Sequence, residues 1–220
     1  MNMNEVFPGV WKSGRKIFTE NAVKGDCSFS SGLIRKSGSE FREWDPNRSK
    51  PAAAIAKGLK NFPIRTKIKL LYLGIANGTT ASFFSDIMGP DGIIYGVEIS
   101  ERSMRDLNAI AEKRGNIAPI IANARNPEDY AWVEKVDVLY QDVATNDQSE
   151  ILIRNAEQFL KPGGFAVIAI KARSIDVIKT PKDVYKQELE KLRKPFKIIE
   201  KVELDPFEKD HLFVVMEFNS

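Results

Sequence analysis

The chain has 220 residues, 33 Lys and Arg against 30 Asp and Glu for a net charge of +3, one histidine and one cysteine. That length holds one full α/β domain with a small extra module. The lone Cys27 excludes an intrachain disulfide, and one cysteine beside one histidine excludes a thiolate–imidazole metal cluster, so no metal is expected.

The opening MNMNEVFPGV lacks the apolar core of a signal peptide, and no apolar run is long enough to span a bilayer. A soluble protein of a reducing compartment, with no membrane partner, is expected. Charge is unevenly spread: residues 1–70 hold 14 Lys and Arg against 6 Asp and Glu, and the remainder holds 19 against 24. A basic front third points to a polyanion contacting one side, or to a solvated lysine-rich surface.

Along residues 1–48, VWKSGRKIFTENAV and SGLIRKSGSEFREW alternate in short runs, with Gly25-Asp26 and Ser37-Gly38 as turns. This predicts a small antiparallel β module, followed by the main domain over 49–220. PAAAIAKGLKNF reads as a helix, with Ser49 as cap and Pro51 in its first turn. Strand and helix then alternate. KLLYLG is a buried strand, TTASFFSDIM a helix, IIYGVEIS a strand and ERSMRDLNAIAEKRG a helix ended by Gly115. APIIANA is a third strand, PEDYAWVE a short helix and VDVLYQD a fourth strand. NDQSEILIRNAEQFL is a helix stopped at Pro162-Gly163-Gly164, FAVIAIKAR a fifth strand and PKDVYKQELEKLRK the last helix. FKIIEKVEL and HLFVVMEF close the chain, and the DPFEKD between them is too short for a crossover, so they pair antiparallel. The fold class is α/β: a doubly wound, mostly parallel sheet with one reversed strand, plus the N-terminal β module.

The segment Leu71–Ser100 carries the most chemistry. An apolar strand runs into a loop with Gly74 and Gly78, a helix follows, and the next strand ends in Glu98, 24 positions after Gly74. Nucleotide-binding βαβ units place a ribose-binding acid about 20 residues on. The two glycines are expected to let backbone approach a ligand, and Thr79 or Thr80 to cap the helix with hydroxyls toward it. G-x-x-x-G replaces the G-x-G-x-x-G of dinucleotide sites, which favours an adenosine cofactor without phosphates, such as S-adenosylmethionine. The plainer reading is a strand–loop–helix turn.

In an open α/β sheet, ligands bind at the carboxyl edge of the parallel strands. Glu98, Asp142 and Lys171 end three of them. The reversed last strand starts on that edge with His211, and Lys50, before the first helix, is placed to reach the same side.

With these residues in view, the chain resembles the fibrillarin family in its archaeal form. FREWDPNRSKPAAAI, LYLGIANGTTASFFSDIMGPDG, VDVLYQDVATNDQ, IKARSIDVIKTP and LDPFEKDHLFVV carry the resemblance from about Phe41 to Phe218. It implies a Rossmann-like methyltransferase that uses S-adenosylmethionine for ribose 2′-O-methylation of rRNA and tRNA, directed by C/D box guide RNA. It implies Lys50, Asp142, Lys171 and His211 as catalytic residues. It also implies cofactor contacts at Thr79, Thr80, Glu98, Ile99, Asn123, Ala124, Asp142, Val143, Ala144 and Thr145, beside Gly74 of the loop. Asn123, Thr145 and Ile99 stand where the family usually has aspartate, glutamine and phenylalanine. The implied partners are the guide and target RNAs, a Nop-domain scaffold protein and a kink-turn-binding protein of ribosomal type. The eukaryotic glycine- and arginine-rich tail is missing before this region, which implies an archaeal-type, cytoplasmic protein.

By that resemblance Glu98 holds the cofactor ribose, Asp142 sits between cofactor and acceptor, and Lys171 contacts the 2′-hydroxyl, either as base or as an ammonium stabilising negative charge. Alternatives from other classes are a non-catalytic scaffold subunit of an RNA particle, a methyltransferase acting on protein side chains, and a nicotinamide-dependent dehydrogenase.

Overall fold

A computed structural model describes residues 3–219. The N-terminal sheet contains β1 (Asn4–Phe7), β2 (Val10–Ser13), β3 (Lys16–Glu20), β4 (Leu33–Lys36) and β5 (Ser39–Glu43), all antiparallel, in the order β1-β2-β3-β5-β4. Ser37 and Gly38 both have positive φ (51° and 86°) and close a tight β4–β5 hairpin, as their sequence predicts. The Gly25-Asp26 turn exists, closed by the Asp26 N–H on the Val23 carbonyl at 2.9 Å. It joins no hairpin, because β3 pairs with β5 instead of β4. β1 has no counterpart in the sequence-based reading.

Along β3 every interior side chain is buried. Ile17 enters the main core, and Phe18 packs into a satellite cluster with Met3 and Phe41. The module is thus fastened to the larger domain on one face. Trp44 stacks on Phe83 with ring centroids 5.2 Å apart. Asp86 receives Arg42 at 3.0 Å and Arg114 at 2.6 Å, and accepts from the Thr19 hydroxyl at 2.7 Å.

The first helix, α1 (Lys50–Ala56), ends six residues before the expected Phe62. Gly58, with φ of 93°, turns the chain in a Schellman closure: Leu59 N–H reaches the Ala54 carbonyl at 3.0 Å and Gly58 N–H the Ile55 carbonyl at 3.2 Å. Ser49 does occupy the cap position, but its side chain makes no capping bond.

The main sheet follows the expected alternation: β6 (Lys69–Leu73), α2 (Thr79–Met88), β7 (Ile93–Glu98), α3 (Glu101–Arg114), β8 (Ile117–Ile121), β9 (Val136–Gln141), α4 (Gln148–Phe159), β10 (Leu160–Lys171), α5 (Ala172–Ile175), α6 (Pro181–Leu192), β11 (Phe196–Glu203) and β12 (His211–Phe218). PEDYAWVE shrinks to one 3-10 turn, Pro127–Tyr130. The single-turn α5 is new. β10 starts earlier than expected: Leu160 pairs with Val136, the Pro162–Gly164 stretch interrupts the register, and pairing resumes at Phe165 with Val138. The order is β11-β12-β10-β9-β6-β7-β8, with β12 alone antiparallel to its neighbours.

Alternation along β6 splits the core. Leu70 and Tyr72 face α1, α2, α3 and the N-terminal sheet, whereas Leu71 and Leu73 face α4 and α6. Strand order reverses between β6 and β9, and the loops leaving those two strands part there. That divergence opens a crevice at the carboxyl edge.

Candidate active site

The crevice gathers the strand ends. Asp142 follows β9 directly and is held by its N–H on the Leu73 carbonyl at 3.0 Å. Its carboxylate meets two lysines, Lys50 Nζ at 3.1 Å on Oδ2 and Lys171 Nζ at 2.8 Å on Oδ1. The Lys171 hydrogen bond itself goes to the Asp142 carbonyl, also at 2.8 Å. Lys50 is further balanced by Glu208 at 3.9 Å. All three side chains of the Lys50–Asp142–Lys171 group are 15% exposed, at the edge of solvent.

His211 stands opposite Lys171 in the antiparallel register of β10 and β12. Directly opposed residues project to the same face of a sheet. The His211 Nδ1 lies 2.7 Å from the Lys209 carbonyl. A carbonyl only accepts, so Nδ1 carries the proton and the Nε2 lone pair of the neutral ring is unengaged by the described residues. The edge argument therefore brings Lys50, Asp142, Lys171 and His211 to one place.

Beneath them lie Tyr72 and Tyr140, ring centroids 4.7 Å apart. Burial pushes both phenols well above their ordinary range, so neither is a base.

Beside this cluster opens a cavity of about 340 Å³, within the range of small-molecule sites. Gly74 and Glu98 line it from the ends of β6 and β7, Ile99 from just beyond, Asn123 and Ala124 from the loop after β8, and the run Asp142–Thr145 from the loop after β9. Thr79 and Thr80 do not line it. α2 is capped by Gly78, the Thr79 hydroxyl donates to the Asn77 Oδ1 at 2.9 Å, and the Thr80 hydroxyl is buried 2.9 Å from Ser49 Oγ.

Both glycines permit close packing of protein on protein; Gly74 also lines the cavity, whereas Gly78 does not, which corrects the expectation of ligand approach there. A Cβ at Gly74 would lie 3.2 Å from the Val143 nitrogen, and one at Gly78 would strike Leu107 of α3 at 2.9 Å. Their φ values of 75° and 85° also require glycine.

The lining suits an adenosine ligand without phosphates. The Glu98 carboxylate is fixed by Ala76 N–H at 2.9 Å and Ser100 N–H at 2.8 Å, and its remaining lone pairs are left for a diol. The Thr145 hydroxyl is buried beside Asp147, whose carboxyl it helps Arg125 hold below the usual range. Asn123 uses its amide oxygen to accept the Arg125 N–H at 3.0 Å, which turns the chain out of β8 and into the cavity wall.

Sequence reasoning missed two contributors. Arg125 lines the cavity and pairs with Asp147 through two contacts of 2.7 Å. Gln148, fully buried, accepts the Lys171 N–H at 3.0 Å and donates to the Lys171 carbonyl at 3.3 Å and the Thr145 carbonyl at 2.8 Å. The last β9–β10 register pair is Ile168 with Gln141, so the Gln148 amide stands in for the missing strand beside Lys171. A glutamine just inside a helix start gives no local signal of this role. Among the described residues no group of three or more His, Cys, Asp or Glu side chains is arranged to hold a metal ion, and no helix is long and apolar enough to cross a membrane.

A seven-stranded sheet in this order, with an acid-fixed adenosine-sized cavity at its switch point, defines the class: a Rossmann-like methyltransferase fold. The fibrillarin family model matches residues 1–220. A fibrillarin-like rRNA/tRNA 2′-O-methyltransferase of Pyrococcus furiosus is 50% identical over 216 residues, 95% of each chain. Aeropyrum pernix fibrillarin, solved with natively bound S-adenosyl-L-methionine, superposes with a TM-score of 0.90 at 45% identity over 98% of both chains. The fibrillarin of a fibrillarin/Nop5p complex superposes with a TM-score of 0.89 at 38% identity, covering 98% of this chain and 100% of that one. The chain belongs to the fibrillarin family.

Proposed function

We propose that this protein is an S-adenosylmethionine-dependent 2′-O-methyltransferase of rRNA and tRNA ribose, directed to its nucleotide by C/D box guide RNA. The observation that carries the reading is the Lys50–Asp142–Lys171 cluster, with His211 in register beside Lys171, next to a cofactor-sized cavity that Asp142 lines, in a fibrillarin-family chain. Glu98 holds the cofactor ribose, Ile99, Asn123 and Ala124 bound the adenine, and Asp142–Thr145 with Gly74 form the remaining wall.

When bound, S-adenosylmethionine supplies a methyl group on a sulfonium, whose sulfur departs neutral and needs no acid. The chain's task is to align the acceptor hydroxyl and to manage its proton. The Lys171 ammonium, hydrogen-bonded to the Asp142 carbonyl and paired with its carboxylate, has N–H groups left for the acceptor oxygen and stabilises charge as the proton leaves. The His211 Nε2, with no hydrogen-bond partner among the described residues, is the ring nitrogen on this edge offered to take that proton. Lys50 neutralises the other Asp142 oxygen and keeps the carboxylate oriented.

Targeting is assigned to the guide RNA, a Nop-domain scaffold and a kink-turn-binding protein of ribosomal type. The fibrillarin/Nop5p complex of a relative and the basic front third support this assignment. In this reading residues 1–48 are an accessory module on the 49–220 methyltransferase domain, and the protein works in the cytoplasm of an archaeal-type cell.

The test is reconstitution with a C/D guide RNA and the two partner proteins, then mapping of ribose methylation on a complementary strand. Methylation at the guide-specified nucleotide is expected, lost in Lys171→Ala while cofactor binding stays within about threefold of wild type. Methylation independent of the guide, or label transferred to protein, would refute the reading. Loss of cofactor binding in Lys171→Ala would refute the role of Lys171.

A further inference from the structure

Three charged residues line the cavity, Glu98, Asp142 and Arg125, and only Arg125 has no task so far. Its guanidinium grips Asp147 in a two-pronged ion pair, Nε to Oδ2 and Nη2 to Oδ1, each 2.7 Å. Arg125 belongs to the loop after β8, and Asp147 ends the loop after β9. In the sheet those strands are separated by β6 and β7, so no backbone ladder ties the two loops together. Neighbouring strands are about 4.8 Å apart, so the pair connects segments whose parent strands lie roughly 14 Å apart. It spans the ends of β6 and β7, where Gly74 and Glu98 form the cavity's floor.

The inner side of the same connection is held from the interior. Asn155 of α4 is buried and donates to the Ala124 carbonyl at 2.8 Å. The outer side is different: Arg125 and Asp147 are 40% and 34% exposed. One edge of the Asn123–Ala124 wall is therefore pinned in the interior, and the other is fastened at the surface, by Arg154 of α4 on the Arg125 carbonyl and by the solvent-reachable ion pair, which alone among the described polar contacts joins it to the loop after β9. Such a pair opens without unfolding anything, and its planar fork fixes the arginine when closed.

We propose that Arg125 and Asp147 form a latch across the outer end of the cavity, which retains the adenosyl cofactor by slowing its release. The inference rests on the assignment of this cavity to S-adenosylmethionine. Arg125 is the bolt, because it lines the cavity. Asp147 is a positioning residue that does not line it and holds Arg125 in place.

The test is equilibrium titration and stopped-flow release of S-adenosylmethionine from the full chain, comparing wild type, Arg125→Gln, Asp147→Asn and the charge-reversed Arg125→Asp/Asp147→Arg. Each single change should speed release about 5- to 15-fold, the range open to a bidentate, half-exposed ion pair. The reversed pair should return to within about threefold of wild type. Release from Asp147→Asn at the wild-type rate overturns the latch, as does a reversed pair no better than the singles. Amide exchange across residues 122–126 provides a measurement independent of the variants' folding. Cofactor should protect this segment in wild type, and equal exchange with and without cofactor also overturns the proposal. Failure of wild type to bind S-adenosylmethionine at all would instead remove the cofactor assignment, a separate outcome.

Discussion

Replacing Asp86 by asparagine keeps the shape of the side chain and removes one negative charge from the contact between α2 and the N-terminal sheet. That charge is shared. Arg42 and Arg114 both reach Asp86, and all three side chains are 0% exposed. After the substitution the only carboxylate among the described residues in contact with either arginine is Asp26, 3.0 Å from Arg114. Arg42 would keep neutral acceptors, among them Ser82 Oγ at 3.0 Å. Its burial already pulls the guanidinium below its ordinary range, with Asp86 the main opposing influence. Breaking a buried ion pair from one side costs about 3–5 kcal/mol, because the surviving charge stays desolvated. For a chain of this size 1 kcal/mol moves Tm by about 2–4 °C, so Asp86→Asn should melt roughly 6–20 °C lower. Glu43→Gln is the comparison. It removes the Lys16–Glu43 pair, 54% and 20% exposed, which is worth at most about 1 kcal/mol. Thermal unfolding followed by far-UV circular dichroism at pH 7, without cofactor, reads both. If Asp86→Asn melts no lower than Glu43→Gln, the buried network does not hold the two sheets together, and the reasoning fails.

Glu98→Gln should weaken S-adenosylmethionine binding about 10- to 100-fold by calorimetry, because an amide cannot accept on both sides from the Ala76 and Ser100 N–H groups as the carboxylate does. Gln148→Leu should lower kcat at least about tenfold in the reconstituted particle and free the Lys171 amide to exchange with solvent; a protected Lys171 amide in that variant would show that the side chain does not hold the strand end. Stability should fall on acidification below about pH 4. Burial acts to raise Asp26 and Asp137, but hydrogen bonds outweigh it: the Ser28 and Arg114 bonds hold Asp26 below the usual carboxylate range, and the Lys161 and Lys69 bonds do the same for Asp137. Carboxylates depressed by folding stabilise fully above their unfolded pKa and lose that contribution as pH falls through the folded one. A Tm unchanged between pH 5 and pH 2 would contradict this.

Much of the fold was legible in the chain because its cues are local. The run KLLYLG could only be a buried strand, Gly115 stops α3 in the left-handed conformation, and the short DPFEKD connection forces β12 to run backwards. From that reversal alone His211 could be placed on the edge that carries Asp142 and Lys171. The errors came where a local cue allowed more than one partner. A turn at Gly25-Asp26 does not reveal that β3 will pair with β5, and an alanine-rich run does not show that Gly58 will take φ of 93° and end the helix.

The Thr79 and Thr80 hydroxyls and Gly78 lie off the cavity for the same reason. Thr80 has the composition of a ligand contact, but its hydroxyl lies against Ser49, 31 positions away, and the space beside Gly78 belongs to Leu107. The periodicity of the sequence by itself determined most of the strands and helices, where the parallel edge lies, and that Glu98, Asp142 and Lys171 end strands on it. Tertiary structure alone decided that Arg42, Asp86 and Arg114 share one buried charge, that Gln148 replaces a strand beside Lys171, and that Arg125 reaches Asp147 over two intervening strands. Local preferences act over a helical turn or a strand's alternation, whereas these contacts depend on strand order, which arises only when the whole sheet assembles.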